Sequence, residues 1–116
     1  MTEPILQSAD QQDFITRIVE KRPSSWQWAP GIEFVCRQES LGWALALSIE
    51  RQAQRPELFS ETLKRRFENV ELYEGYYICL DSQQTFVVWH ELTNDYHNAQ
   101  LQSLVGQLLS LAGLKH

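Results

Sequence analysis

Glycine is sparse in this chain, cysteine sparser, and no long apolar run exists. The five glycines form neither a G-x-G-x-x-G turn nor a Walker loop, which removes the usual phosphate-cradling signatures of nucleotide enzymes. Cys36 and Cys79 are too few and too far apart for a disulfide framework. They form no Cys-x-x-Cys pair, so both are expected as reduced thiols. Nothing approaches the ~18 consecutive apolar residues of a membrane span. The opening MTEPILQSAD lacks the basic start and apolar core of a signal peptide, so the expected location is cytoplasmic.

Charge of one sign is also short. Ten basic residues against fifteen acidic ones give a net charge of −5 and a pI near 5.1, which disfavours a polyanion-binding surface and hence nucleic acid. The one basic cluster, Lys64-Arg65-Arg66 with Arg51 and Arg55 nearby, is ringed by Glu57, Glu61, Glu68, Glu71 and Glu74 and reads as the decorated side of an amphipathic helix. His90, His97 and His116 are too dispersed for a metal set without a distant third ligand. No catalytic residue, metal or cofactor is expected.

What remains has the composition of a folded domain: 43% hydrophobic and 11% aromatic over 116 residues, read as one unit spanning 1–116. Asp10 can cap a first helix whose Phe14, Ile15, Ile18 and Val19 make an apolar stripe, and Pro23 ends it. Trp26 and Trp28 alternate with polar neighbours before a Pro30-Gly31 turn. Ile32, Phe34 and Cys36 then alternate with Glu33, Val35 and Arg37 as a half-buried strand. Gln38 to Gly42 makes the next turn. In WALALSIE, Trp43, Leu45, Leu47 and Ile49 share one face, while Ala44, Ala46 and Ser48 leave the other open to close packing. Pro56 suits the first turn of a second helix, with Phe59, Leu63, Phe67 and Val70 along one side. The last helix carries Leu101, Leu104, Val105, Leu108, Leu111 and Ala112. Thr93, Asn94 or Asp95 is expected to cap it, Gly113 to end it, and Lys115 to follow. Gly106 within it needs a packed neighbour to be well tolerated.

Between these helices lies YYICLDSQQTFVVWHEL, two apolar runs around a polar break at Asp81-Ser82-Gln83-Gln84. Pairing Leu80 with Thr85 puts Tyr76, Ile78 and Leu80 with Thr85, Val87 and Trp89. Tyr77 and Cys79 then share the second face with Phe86 and Val88. Both faces are apolar, and one chain's helices are hard pressed to cover both, which points to a subunit interface. The same register keeps Cys79 away from His90, so no Cys-His pair forms there. The order α-β-β-β-α-β-β-α clusters its strands. That favours an α+β fold, a mainly antiparallel twisted sheet with helices packed on one face, over a doubly wound one.

This layout, from the helix at Pro56 to Glu68 through the acidic turn at Leu80-Asp81 to the leucine-rich helix Leu101 to Leu111, resembles the class I chaperones of type III secretion. The resemblance covers residues 10 to 114 in layout and 70 to 112 in texture, and the closely spaced Trp26 and Trp28 and the broken first strand depart from it. It implies a non-catalytic, ATP-independent homodimer that binds the extended N-terminal segment of a secreted effector and keeps it secretion-competent. Carried over by position, Phe14, Ile18, Trp26, Trp28, Ile32 and Phe34 line the partner groove, and Leu63, Phe67 and Tyr77 sit at the dimer seam. The alternative is a monomeric acidic regulatory or toxin-neutralising protein that binds a folded basic partner.

Overall fold

Alternation in the middle of the chain builds the sheet, and everything else is placed by it. In the computed structural model, which describes residues 5–39, 42–92 and 96–114, the strands are β1 (Leu6–Gln7), β2 (Ser24–Ala29), β3 (Ile32–Glu39), β4 (Gly42–Ile49), β5 (Tyr76–Leu80) and β6 (Phe86–Leu92). The helices are α1 (Gln11–Val19), α2 (Leu58–Glu68) and α3 (Asn98–Leu111). The strands form one sheet in the order β1-β2-β3-β4-β6-β5. All pairings are antiparallel except β1 with β2, where Leu6 and Gln7 lie parallel to Ser24 and Ser25. The fold is therefore α+β, as expected. The two-residue β1 is an addition too short to leave a periodic signal.

The period of two sorts the strands cleanly. Ile32, Phe34 and Cys36 of β3, Leu45, Leu47 and Ile49 of β4, and Phe86 and Val88 of β6 are buried on one face. Over that face lie α1, through Phe14, Ile15 and Ile18, and α3, through Leu101, Val105, Leu108 and Leu109. Asp10 caps α1 as expected, its Oδ1 accepting from the Asp13 N–H at 2.8 Å. The helix ends before Pro23. Lys21 turns left-handed at φ 60°, and the Arg22 N–H donates to the Arg17 carbonyl at 3.0 Å, a Schellman closure without glycine. At the N-terminus of α3 the His97 N–H donates to Gln100 Oε1 at 2.9 Å. The expected caps Thr93, Asn94 and Asp95 lie outside the described residues, as do Ser40 and Leu41 of the β3–β4 turn and Lys115. Gly106 has open space, not a packed neighbour, where a side chain would begin.

The β5–β6 hairpin corrects the register expected from the sequence. The Asp81 N–H donates to the Thr85 carbonyl at 3.0 Å, closing a three-residue loop with Gln84 left-handed at φ 64°. Asp81 Oδ1 holds the loop further by accepting from the N–H groups of Gln83 and Thr85 at 2.8 and 2.9 Å. Leu80 therefore pairs with Phe86, not Thr85. A slip of one residue exchanges the faces of β6. Phe86 and Val88 go inside, while Val87 and Trp89 come out to join Tyr77 and Cys79.

Candidate functional site

Two apolar surfaces remain uncovered by the described residues. The first is the second face of the sheet. Register aligns its side chains in rows across the strands: Arg37–Ala44–Glu91, then Val35–Ala46–Trp89–Tyr77, then Glu33–Ser48–Val87–Cys79. Tyr77 stacks on Trp89 with ring centroids 4.6 Å apart. Along β4 the small side chains Ala44, Ala46 and Ser48 sit between the taller residues of β3 and β6. They form the floor of a trough of about 570 Å³. Its charge is one-sided. Glu39, Asp81 and Glu91 line it, Glu33 lies beside it on the same face of β3, and among the described residues the one cation lining it is Arg37, whose Nε already donates to Glu39 at 2.9 Å. Partial burial, then the neighbouring Glu50 carboxylate, holds the Glu33 carboxyl above the usual carboxylate range.

The second surface is α2. Its core-facing side is Leu58 and Thr62 with half-buried Arg65 and Arg66, and the Thr62 hydroxyl is buried without a hydrogen-bond partner among the described residues. The arginines tie the helix down through backbone carbonyls: Arg65 Nη1 to Leu111 at 2.6 Å and Arg66 Nε to Tyr76 at 2.8 Å. The apolar stripe that makes the helix amphipathic points elsewhere. Phe59 packs edge-on to Phe86 at 5.8 Å but is still 40% exposed, Leu63 is 44% and Phe67 81% exposed, while Val70, expected on the same stripe, falls past the end of the helix at Glu68. Leu80, on the edge strand β5, is exposed as well.

The residues expected to line a partner groove are placed differently. Phe14, Ile18, Ile32 and Phe34 are closed in the core between α1 and the sheet. Trp26 is half-buried, stacked on Phe34 at 5.4 Å and tilted against Phe14 at 6.2 Å. Trp28, at the irregularity between Gln27 and Ala29, is half-buried beside the core. No open groove joins these six. Of the expected seam residues, Leu63 and Phe67 share the α2 ridge, whereas Tyr77 belongs to the opposite face of the sheet. Sequence reasoning missed Val87 and Trp89 as open-face residues. The signal was Asp81, whose side chain favours the odd-numbered loop that sets the register.

No nucleophile–base pair forms among the cysteines and histidines of the sheet. Cys36 and His90 both pair with Leu45, on its opposite sides, which separates their backbones by roughly 10 Å, two strand spacings. Burial pushes the Cys36 thiol up to about 12, so it stays protonated and inert. The His90 ring lies against Tyr76 at 4.5 Å, with its Nδ1 2.5 Å from the Glu91 carbonyl oxygen. Desolvation, with smaller contributions from Tyr96 and Tyr73, pushes the Tyr76 phenol up to about 12. Its hydroxyl donates to Gln107 Oε1 at 2.6 Å, a strut between β5 and α3. No helix among the described residues is long and apolar enough to cross a membrane.

Against known proteins, neither a search of curated proteins nor one of solved structures returned a match. A family model did: the one described as HrpV-like matches residues 1–116, the whole chain.

Proposed function

We propose a function from the premise that this chain belongs to the HrpV-like family, a type III secretion-associated regulatory protein family. The chain is thus a type III secretion-related protein. In our reading it is a non-catalytic, ATP-independent binding protein of the cytoplasm. It works as a homodimer and acts by holding a segment of a protein partner. The N-terminal segment of a secreted effector, kept extended and secretion-competent, is the first client to test.

The observation that carries this reading is the inversion of α2. A helix that docked along its whole apolar stripe would bury Phe59, Leu63 and Phe67; this one buries Leu58, Thr62 and parts of two arginines instead. An outward apolar ridge of that kind marks a protein–protein contact. The ridge also suits a second copy. Residues 59, 63 and 67 recur at i+4, so two antiparallel helices crossing at Leu63 set each Phe59 against a partner Phe67.

Sedimentation equilibrium on the purified chain, followed by native co-purification from its own cytoplasm, tests both halves of the reading. A dimer at micromolar concentration that brings a secretion substrate with it supports the effector-chaperone form. A persistent monomer that retains only a folded basic protein, released at high salt, replaces it with the second reading, an acidic regulatory protein, which the four carboxylates around the trough favour.

A further inference from the structure

The open face of the sheet differs from the α2 ridge in shape and charge, and it fits a different guest. Extended peptide laid flat on a sheet face finds no backbone partners there, because strand groups pair sideways within the sheet. A helix satisfies its own backbone and offers one apolar stripe, so it is the element that packs on such a face. Ala44, Ala46 and Ser48 follow one another at every second residue of β4, and their shortness lets a helix axis come close between Val35 on one side and Trp89 on the other. From Ala44 to Ser48 the trough runs roughly 13 Å, about nine residues of helix. Three carboxylates line it with Glu33 beside them on the same face, and its one cation among the described residues, Arg37, is already paired with Glu39. A guest with acidic flanks would be repelled, while one with lysine or arginine beside its stripe would complete the charge pattern.

We propose that this trough seats a single amphipathic helix of a partner protein, its apolar stripe on Ala44, Ala46 and Trp89 and its Lys or Arg residues toward Glu33, Glu39, Asp81 and Glu91. The proposal rests on the reading of the chain as a partner-holding protein, but it uses a surface distinct from the α2 ridge.

Two designed 18-residue helical peptides test it, both with a leucine-alanine stripe, one flanked by lysine and arginine and the other by glutamate. Titration calorimetry against the full chain should give micromolar binding of the basic peptide and at least tenfold weaker binding of its acidic twin. Raising the salt from 50 to 500 mM should weaken the basic peptide several-fold. Amide shifts on binding should centre on Ala44, Ala46 and Trp89. Ala46→Trp, which fills the trough from the exposed side, should lower affinity at least tenfold with an unchanged circular dichroism spectrum. Glu91→Lys, which leaves the floor intact, should narrow the preference for the basic peptide. Equal binding of the two peptides, no binding of either, or shifts confined to Leu63 and Phe67 would overturn the trough as the seat. Failure of the trough is distinguishable from failure of the functional reading. In the first case Ala46→Trp still dimerises and co-purifies with its cellular partner. In the second the basic peptide fills the trough of a chain that captures nothing in the cell.

Discussion

The two faces of the same six strands differ in what they bury and in what they can do. The covered face is uniform and large-sided: Phe34, Leu45, Leu47, Ile49, Phe86 and Val88 are shut off beneath α1 and α3, with Phe59 of α2 against Phe86. The open face is mixed and low in the middle, with alanines and a serine along β4, a tyrosine–tryptophan stack to one side and carboxylates around. Removing atoms from the first face leaves a void in a packed interior. Removing them from the second changes only what can land there. Stability and binding are thereby separated by one pleat, so that residues adjacent in sequence carry different burdens.

Phe34 and Val35 put the largest difference to the test. Phe34→Ala should cost about 3–5 kcal/mol in denaturant unfolding, from lost transfer energy plus a cavity. Val35→Ala, one residue along but half-buried on the other face, should cost about 1 kcal/mol or less. Similar losses at the two sites would mean that the second face is not open.

The thiols give the next contrast. Cys36 is enclosed, with its thiol pushed up to about 12, while Cys79 is exposed on the other face. At pH 8 an aromatic disulfide reagent should modify one thiol per chain, with Cys79 at least about a hundredfold faster than Cys36. Comparable rates would show that the covered face opens readily.

A third prediction concerns the α2 ridge. Phe67→Glu should raise the dimer dissociation constant at least tenfold, read by sedimentation equilibrium across protein concentrations. Chemical stability extrapolated to the monomer should be unchanged, since the side chain is 81% exposed. A variant that dimerises like the parent would remove the ridge from the interface.

The smallest effect sharpens the picture of the covered layer. Gly106→Ala should add about 1 kcal/mol of stability, because the helical backbone is retained and the new methyl meets open space. Peptide binding on the open face should not move with it. If both change together, the two faces are coupled.

Much of the covered face was legible along the chain. Strict alternation in Ile32-Glu33-Phe34-Val35-Cys36 and in Trp43 to Ile49 identified the inner residues of β3 and β4, and the short side chains of Ala44, Ala46 and Ser48 announced a close approach on the far side. The hairpin was less readable. Tyr76 to Leu80 and Phe86 to Leu92 are apolar at nearly every position, so pattern alone cannot choose the inner set, and the choice falls to the loop. An even loop and an odd loop give opposite faces. The Asp81 hydrogen bonds select the odd one. The same limit applied to the first half: Phe14, Ile18, Ile32 and Phe34 have the side chains of a binding groove and of a core alike, and α1 lying on the sheet makes them core.

By itself the sequence determined the three helices, five of the six strands and the inner faces of β3 and β4, because these follow from local periods of 3.6 and 2 that every few residues restate. It also determined the acidity. Only the tertiary structure decided that α2 turns its apolar stripe outward, that Val87 and Trp89 face the trough, and that the partner groove expected in the first half is filled. Those outcomes depend on which neighbour reaches a surface first. Nothing in the period of a helix says whether its stripe meets this chain or another.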